Sequence, residues 1–297
     1  MLSLIFVIFA ASSNVVTGHA LHATQSKAEP PRKITSKDGT LIAYDQSGKG
    51  PLLILVASAL ADRSAAARLA ALLAKDFTVI NYDRRGRGES GDKKPYAVER
   101  EVEDIEGLID AAGGSAFLFG HSSGAVLALE AANRLRGKVK KAVLYEPPFI
   151  VDDSRPPVPA DFVKTLTDLA SSGRRSEAVE YFMTKGIGLP TESVVQMKKM
   201  PMWPNLEKLA HTIAYDGAIM GNTQAGKPLP AKRWSYVTAV TVVMNGGKTD
   251  PFLRNAAKAL AEILPHAQHR TLEGQDHGVV FMNPNALAPV LVDFFSR

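Results

Sequence analysis

The 297-residue chain carries 35 Lys and Arg against 30 Asp and Glu, 45% hydrophobic residues and no cysteine. Disulfides, thiolate chemistry and cysteine-bound metal are excluded, and the length suits one large α/β domain with an insertion or two small domains. The formal charge of +5 and the pI near 9.3 arise from Lys and Arg scattered along the chain, which argues against a nucleic-acid partner.

Leu2 to Ala11 is a continuous apolar run, and Gly18-His19-Ala20 puts small residues where a signal peptidase reads. The run is too short to span a bilayer as a mature helix. Residues 1–23 are therefore expected to be a cleaved secretory signal, placing the mature protein outside the cell or in its envelope without a membrane span. No Lys or Arg precedes the run, so a retained N-terminal anchor and a misassigned start codon, the latter implying a cytoplasmic protein, stay open.

After a polar, proline-bearing linker, Ile34–Ser36 and Leu41–Asp45 flank Asp38-Gly39, a hairpin signal. Leu52–Val56 is wholly apolar, as in a strand buried on both faces of a parallel sheet. A helix is expected over 64–74 and a strand over 77–82. The following Gly86-x-Gly88-x-x-Gly91 has the spacing of a dinucleotide fingerprint, but Pro95 and a polar stretch separate it from the next helix, so no cofactor is expected. That helix carries Val98, Val102, Ile105, Ile109 and Ala112 on one face, with acidic residues on the other, and ends at Gly113-Gly114.

An apolar run, Ala116-Phe-Leu-Phe119, then leads into Gly120-His121-Ser122-Ser123-Gly124, and Val126, Leu127, Leu129, Ala132 and Leu135 follow at helical spacing. A serine on a sharp strand-to-helix turn holds its oxygen clear of the backbone, and the N–H of Ser123 opens the helix beside it. Ser122 is thus the candidate nucleophile. Val139–Tyr145 is another apolar strand, ending at Glu146-Pro147-Pro148. Regularity lapses between Pro148 and about Val237, where prolines and short helical patterns alternate. Ala239–Met244 and 268–272 are the last strands, followed respectively by the Asn245–Pro251 loop and by Glu273-Gly-Gln-Asp-His277-Gly. Gly246-Gly247-Lys248-Thr249 is no phosphate loop, because the required first glycine falls on Val242.

These motifs resemble the serine-nucleophile branch of the α/β-hydrolase superfamily. Asp83-Arg84-Arg85-Gly86-Arg87-Gly88-Glu89-Ser90 is similar to that superfamily's structural Asp-x-Arg-Gly-x-Gly-x-Ser turn. The resemblance implies an α/β fold: a mostly parallel, doubly wound sheet built from 24–148 and 235–297, with 149–234 inserted as a helical cap. It also implies a triad in the order Ser122, Asp250, His277, with Glu146 as the alternative acid. The oxyanion donors would be the N–H groups of Ser123 and Ala59. Ala57-Ser58-Ala59-Leu60 stands where the family carries His-Gly, so this loop departs from the pattern. Serine at the elbow, in place of aspartate, argues against dehalogenases and epoxide hydrolases.

The expected activity is hydrolysis of a small apolar acyl substrate, by default a carboxylic ester, through an acyl-enzyme and without metal or other cofactor. Met197, Met200, Met202, Trp203, Ile219 and Met220 are candidate pocket lining. Lactone, amide or C–C bond hydrolysis, perhydrolysis, and a ligand-binding protein on the same scaffold with little turnover are the alternatives.

Overall fold

The structure, a computed structural model, describes residues 30–297, so the expected signal over 1–23 lies outside the described residues. The chain opens with β1 (Arg32–Thr35), β2 (Leu41–Ser47) and β3 (Leu52–Val56), then α1 (Ala67–Leu73), β4 (Thr78–Tyr82) and α2 (Val98–Ala111). β5 (Ala116–His121), α3 (Ser123–Leu135) and β6 (Val139–Tyr145) follow. The inserted segment carries α4 (Phe162–Ser171), α5 (Arg175–Tyr181), α6 (Thr191–Met197), α7 (Trp203–Leu209) and α8 (Ile213–Met220). β7 (Val240–Gly246), α9 (Pro251–Ile263), β8 (Ala267–Leu272), α10 (Val279–Met282) and α11 (Pro284–Ser296) complete the fold. Among the described residues no helix is long and apolar enough to cross a membrane.

The eight strands form one sheet in the order β1-β2-β4-β3-β5-β6-β7-β8. β1 and β2 pair antiparallel around the Asp38-Gly39 turn, β2 pairs antiparallel with β4, and every later pairing is parallel. Parallel strands need crossovers, and helices supply them on both faces. All five residues of β3 are buried. Alternation divides them: Leu52, Ile54 and Val56 face the cluster holding α2, α3 and α9, whereas Leu53 and Leu55 face α1, α10 and α11. The order also brings the carboxyl ends of β3, β5, β6 and β7 side by side, so the loops leaving them converge.

α2 departs from the expected two-faced pattern. Glu101 and Asp104, assigned by spacing to the polar face, are each 1% exposed. Arg84 Nε and Nη2 donate to the Glu101 carboxylate at 2.8 Å, and Arg85 Nε and Nη2 donate to Asp104 at 2.8 and 2.7 Å. A buried carboxylate requires compensating donors, and the turn after β4 provides a guanidinium for each.

The inserted helices have their own apolar cluster, built on Phe162, Leu166, Met183, Trp203 and Leu206 among others. α8 joins it to the main core, with Ile213 in the first cluster and Ile219 and Met220 in the second. Because Leu108 on α2 is fully buried in the main core, Leu108→Ala should cost about 2–5 kcal/mol in urea unfolding at constant m. Asp110→Ala should cost under about 1 kcal/mol, since its ion pair with Lys138 is largely exposed. Equal losses would contradict this packing.

Candidate active site

Backbone proximity shapes the elbow first. An added Cβ on Gly120 would lie 2.4 Å from the Gly124 carbonyl oxygen, and one on Gly124 would lie 2.3 Å from that of Val56. With both side chains absent, the first turn of α3 sits directly against the ends of β3 and β5. The chain turns between them at Ser122, with φ 57° and ψ −124°, a conformation L-residues rarely hold. The Ser122 N–H is tied to the Tyr145 carbonyl at 2.9 Å. Its side chain opens on a cavity of about 800 Å³ beneath the inserted helices, which Ser58, Ala59, Ser123 and His277 also line.

His277 stands on the loop between β8 and α10. Its Nδ1 lies 2.6 Å from Glu146 Oε2, and the other carboxylate oxygen accepts from the Gly246 N–H at 2.7 Å. Glu146 is fully buried, follows β6 and has φ 50°. The structure thus places Glu146, not Asp250, against the histidine. Asp250 lies at the N-cap of α9, its side chain does not cap the helix, and its charge bears on Arg155. The reason lies in the backbone at the two strand ends, since β7 lies between β6 and β8 and sheet order leaves both loops near His277. β6 is next to β5, and a left-handed residue at its end turns the Glu146 side chain across the ends of the neighbouring strands. The loop after β7 instead runs away into Pro251 and α9.

Close approach again holds the histidine loop. A Cβ on Gly246 would lie 2.4 Å from the Gln275 carbonyl oxygen. Tyr145 Oη donates to the Asp276 carbonyl at 2.8 Å, and His121 Nε2 donates to the His277 carbonyl at 2.9 Å. Burial, followed by the charge of His277, pushes the His121 imidazole well below its ordinary pKa. His121 is therefore a neutral donor, adding no charge beside His277.

The cavity roof differs from expectation. Met202 and Met220 line it, but Met197 and Trp203 pack inside the inserted cluster, Ile219 lies in the main core, and Met200 is exposed. Residues not singled out by their sequence also line the cavity: Phe162, Phe182, Phe252, Arg155 and Asp216. Asp216 is 3% exposed and receives Arg84 Nη1 and Arg87 Nη2, each at 2.7 Å. Burial alone would raise its carboxyl, and Arg87 and Arg84 outweigh that, holding it below the usual range. A lone acid inside the otherwise apolar Ile213–Met220 stretch was the available signal.

A serine on a strained strand-to-helix turn and a histidine bound to a buried carboxylate, both under helices inserted into a parallel sheet, define the α/β-hydrolase class. The chain belongs to the alpha/beta hydrolase family, whose model matches residues 54–290. It is similar to an alpha/beta hydrolase from Sphaerobacter thermophilus DSM 20745, at 50% identity and TM-score 0.81 over 89% of this chain and 100% of that one. The enol-lactonase from Burkholderia xenovorans LB400 is 21% identical, at TM-score 0.65 over 90% of this chain and 100% of that one. A thermophilic esterase from Thermogutta terrifontis is 20% identical, at TM-score 0.64 over 90% and 98%. At these two lower identities the likeness is one of fold. No curated protein matches the chain.

Two outcomes follow. Glu146→Gln should lower kcat by about 10²- to 10⁴-fold with KM little changed, while Asp250→Asn stays within about threefold of wild type on the same ester; the reverse ranking would return the acid to β7. The second concerns pH. Unfolding frees His121 to bind a proton that the folded state excludes, so its contribution is complete above about pH 6.5 and lost as pH falls, at up to about 1.4 kcal/mol per unit. Between pH 7.5 and 5.5 wild-type stability should drop more than that of His121→Gln, which retains a donor. Parallel losses would mean that His121 is not the group responsible.

Proposed function

We propose that the protein is a serine hydrolase that cleaves a carboxylic ester through an acyl-enzyme. The observation that carries the reading is the 2.6 Å contact between His277 Nδ1 and the buried Glu146, at the rim of a cavity shared with Ser122. A carboxylate on Nδ1 fixes the tautomer in which Nε2 is unprotonated, so Nε2 is the atom available to take the Ser122 hydroxyl proton.

Ser122 Oγ attacks the acyl carbonyl as His277 accepts its proton, and Glu146 stabilises the resulting imidazolium. The Ser123 N–H, at the start of α3, has no partner within the helix and faces the developing oxyanion with the helix dipole behind it. The Ala59 N–H, on the loop after β3, is the second donor. His277 then returns the proton to the leaving alkoxide, and water, activated by the same imidazole, releases the acid and restores Ser122. Phe162, Phe182, Leu206 and Phe252 around the cavity favour an apolar acyl or alcohol portion.

A fluorophosphonate probe should label Ser122, with the adduct located by mass spectrometry, and Ser122→Ala should abolish both labelling and turnover of a short-chain chromogenic ester. Turnover should continue well past one equivalent. Release of a single equivalent followed by arrest would favour a binding protein, and an adduct on another serine would overturn the elbow assignment.

A further inference from the structure

Where the family pattern has a glycine, the loop after β3 has Ser58 followed by Ala59, and Leu60 takes φ 54° without being glycine. Such a residue is strained and persists only where its surroundings over-determine it. The surroundings here are two arginines. Arg87 Nη1 donates to the Ser58 carbonyl at 2.5 Å and to the Ala61 carbonyl at 3.3 Å, bracketing Ala59 and Leu60. Arg84 Nη1 donates to the Ala57 carbonyl at 3.2 Å. Both side chains are buried, at 1% exposure. They occupy two of the three unspecified positions inside Asp83-x-Arg-Gly-x-Gly-x-Ser90, so the turn's own pattern does not call for them.

The Ser58 carbonyl and the Ala59 N–H belong to one peptide unit. That unit is planar and trans, so the two groups point in opposite directions along fixed lines. A cation gripping the oxygen therefore aims the N–H on the far side, and a charge-assisted bond polarises the peptide in the sense that strengthens N–H donation. Arg87 is held in turn by Asp216, on α8 of the inserted helices and on the cavity wall.

We propose that Arg87 is a positioning residue that aims the Ala59 N–H at the oxyanion through the Ser58–Ala59 peptide, and that Asp216 makes this aim depend on the seating of the inserted helices. The proposal rests on the serine-hydrolase reading above. It differs from a purely structural role because it acts on the transition state: KM reports the seated substrate, whereas the oxyanion exists only after attack.

The test uses kcat per Ser122 labelled by the fluorophosphonate, which removes any loss of folded protein from the comparison. Arg87→Lys keeps the charge but cannot reach both Asp216 and the loop, and should lower kcat per labelled site about 10- to 100-fold, below the loss for deleting an oxyanion donor outright. KM should move less than about threefold. A trifluoromethyl ketone, which forms an anionic hemiketal on Ser122, should lose affinity in parallel, while its unreactive alcohol analogue should not. Asp216→Asn keeps the volume and supplies an independent variant should Arg87→Lys fold poorly; it should show the same split. Because both act through one bond, the double variant should be no slower than about threefold below the worse single one. Unchanged kcat per labelled site, equal weakening of ketone and alcohol, or independent multiplicative losses would overturn the proposal and leave the serine-hydrolase reading standing. A wild type that is neither labelled nor active would remove both.

Discussion

The contact on which the site depends is one of backbone against backbone. Gly124 lets the start of α3 press on the Val56 and Ala57 carbonyls, and Gly120 lets the same turn close over the end of β5. With α3 pinned there, Ser122 is forced into its left-handed conformation, and Ser122 and Ser123 line the cavity. Dispersion and burial hold the sheet together, but a methyl group at either glycine would separate the elements by more than the site tolerates.

Around this turn the fold buries an unusual number of charges. Arg84, Arg85 and Arg87 leave one short segment after β4 and meet Glu101, Asp104 and Asp216 from two different helices. Desolvation offsets most of the attraction in such pairs, so they add little net stability, whereas losing one partner leaves a buried charge uncompensated. Their effect is positional. A guanidinium has a planar fork of donors and keeps its charge when buried, which allows one side chain to join a carboxylate and a carbonyl. Lysine has no such geometry. The inserted helices and the loop after β3 are thus referenced to the same rigid segment.

The cavity roof follows a different rule. Side chains on short amphipathic helices divide between the inserted cluster and the cavity according to how each helix is rotated. Met197 and Trp203 went inward, and Met202 faced the cavity. Hydrophobicity is the same in both destinations, so it could not separate them.

From the sequence alone, the class of fold, the elbow at Ser122 and the position of His277 after the last strand were legible, because each rests on local signals: apolar runs, helical spacing and small residues at a turn. The acid was not. Asp250 and Glu146 both follow apolar strands and both fall between Ser122 and His277, and the family resemblance favoured the later one. Only the tertiary structure decided it: β7 lies between β6 and β8, so strand order leaves either loop near His277, but the left-handed backbone at Glu146 and the Gly246 N–H hold its carboxylate against the histidine while the loop after β7 enters α9. The same holds for Glu101, Asp104 and Asp216. Helical spacing marks where a side chain points on its own element, but whether a carboxylate meets water or an arginine depends on which distant segment packs against that face.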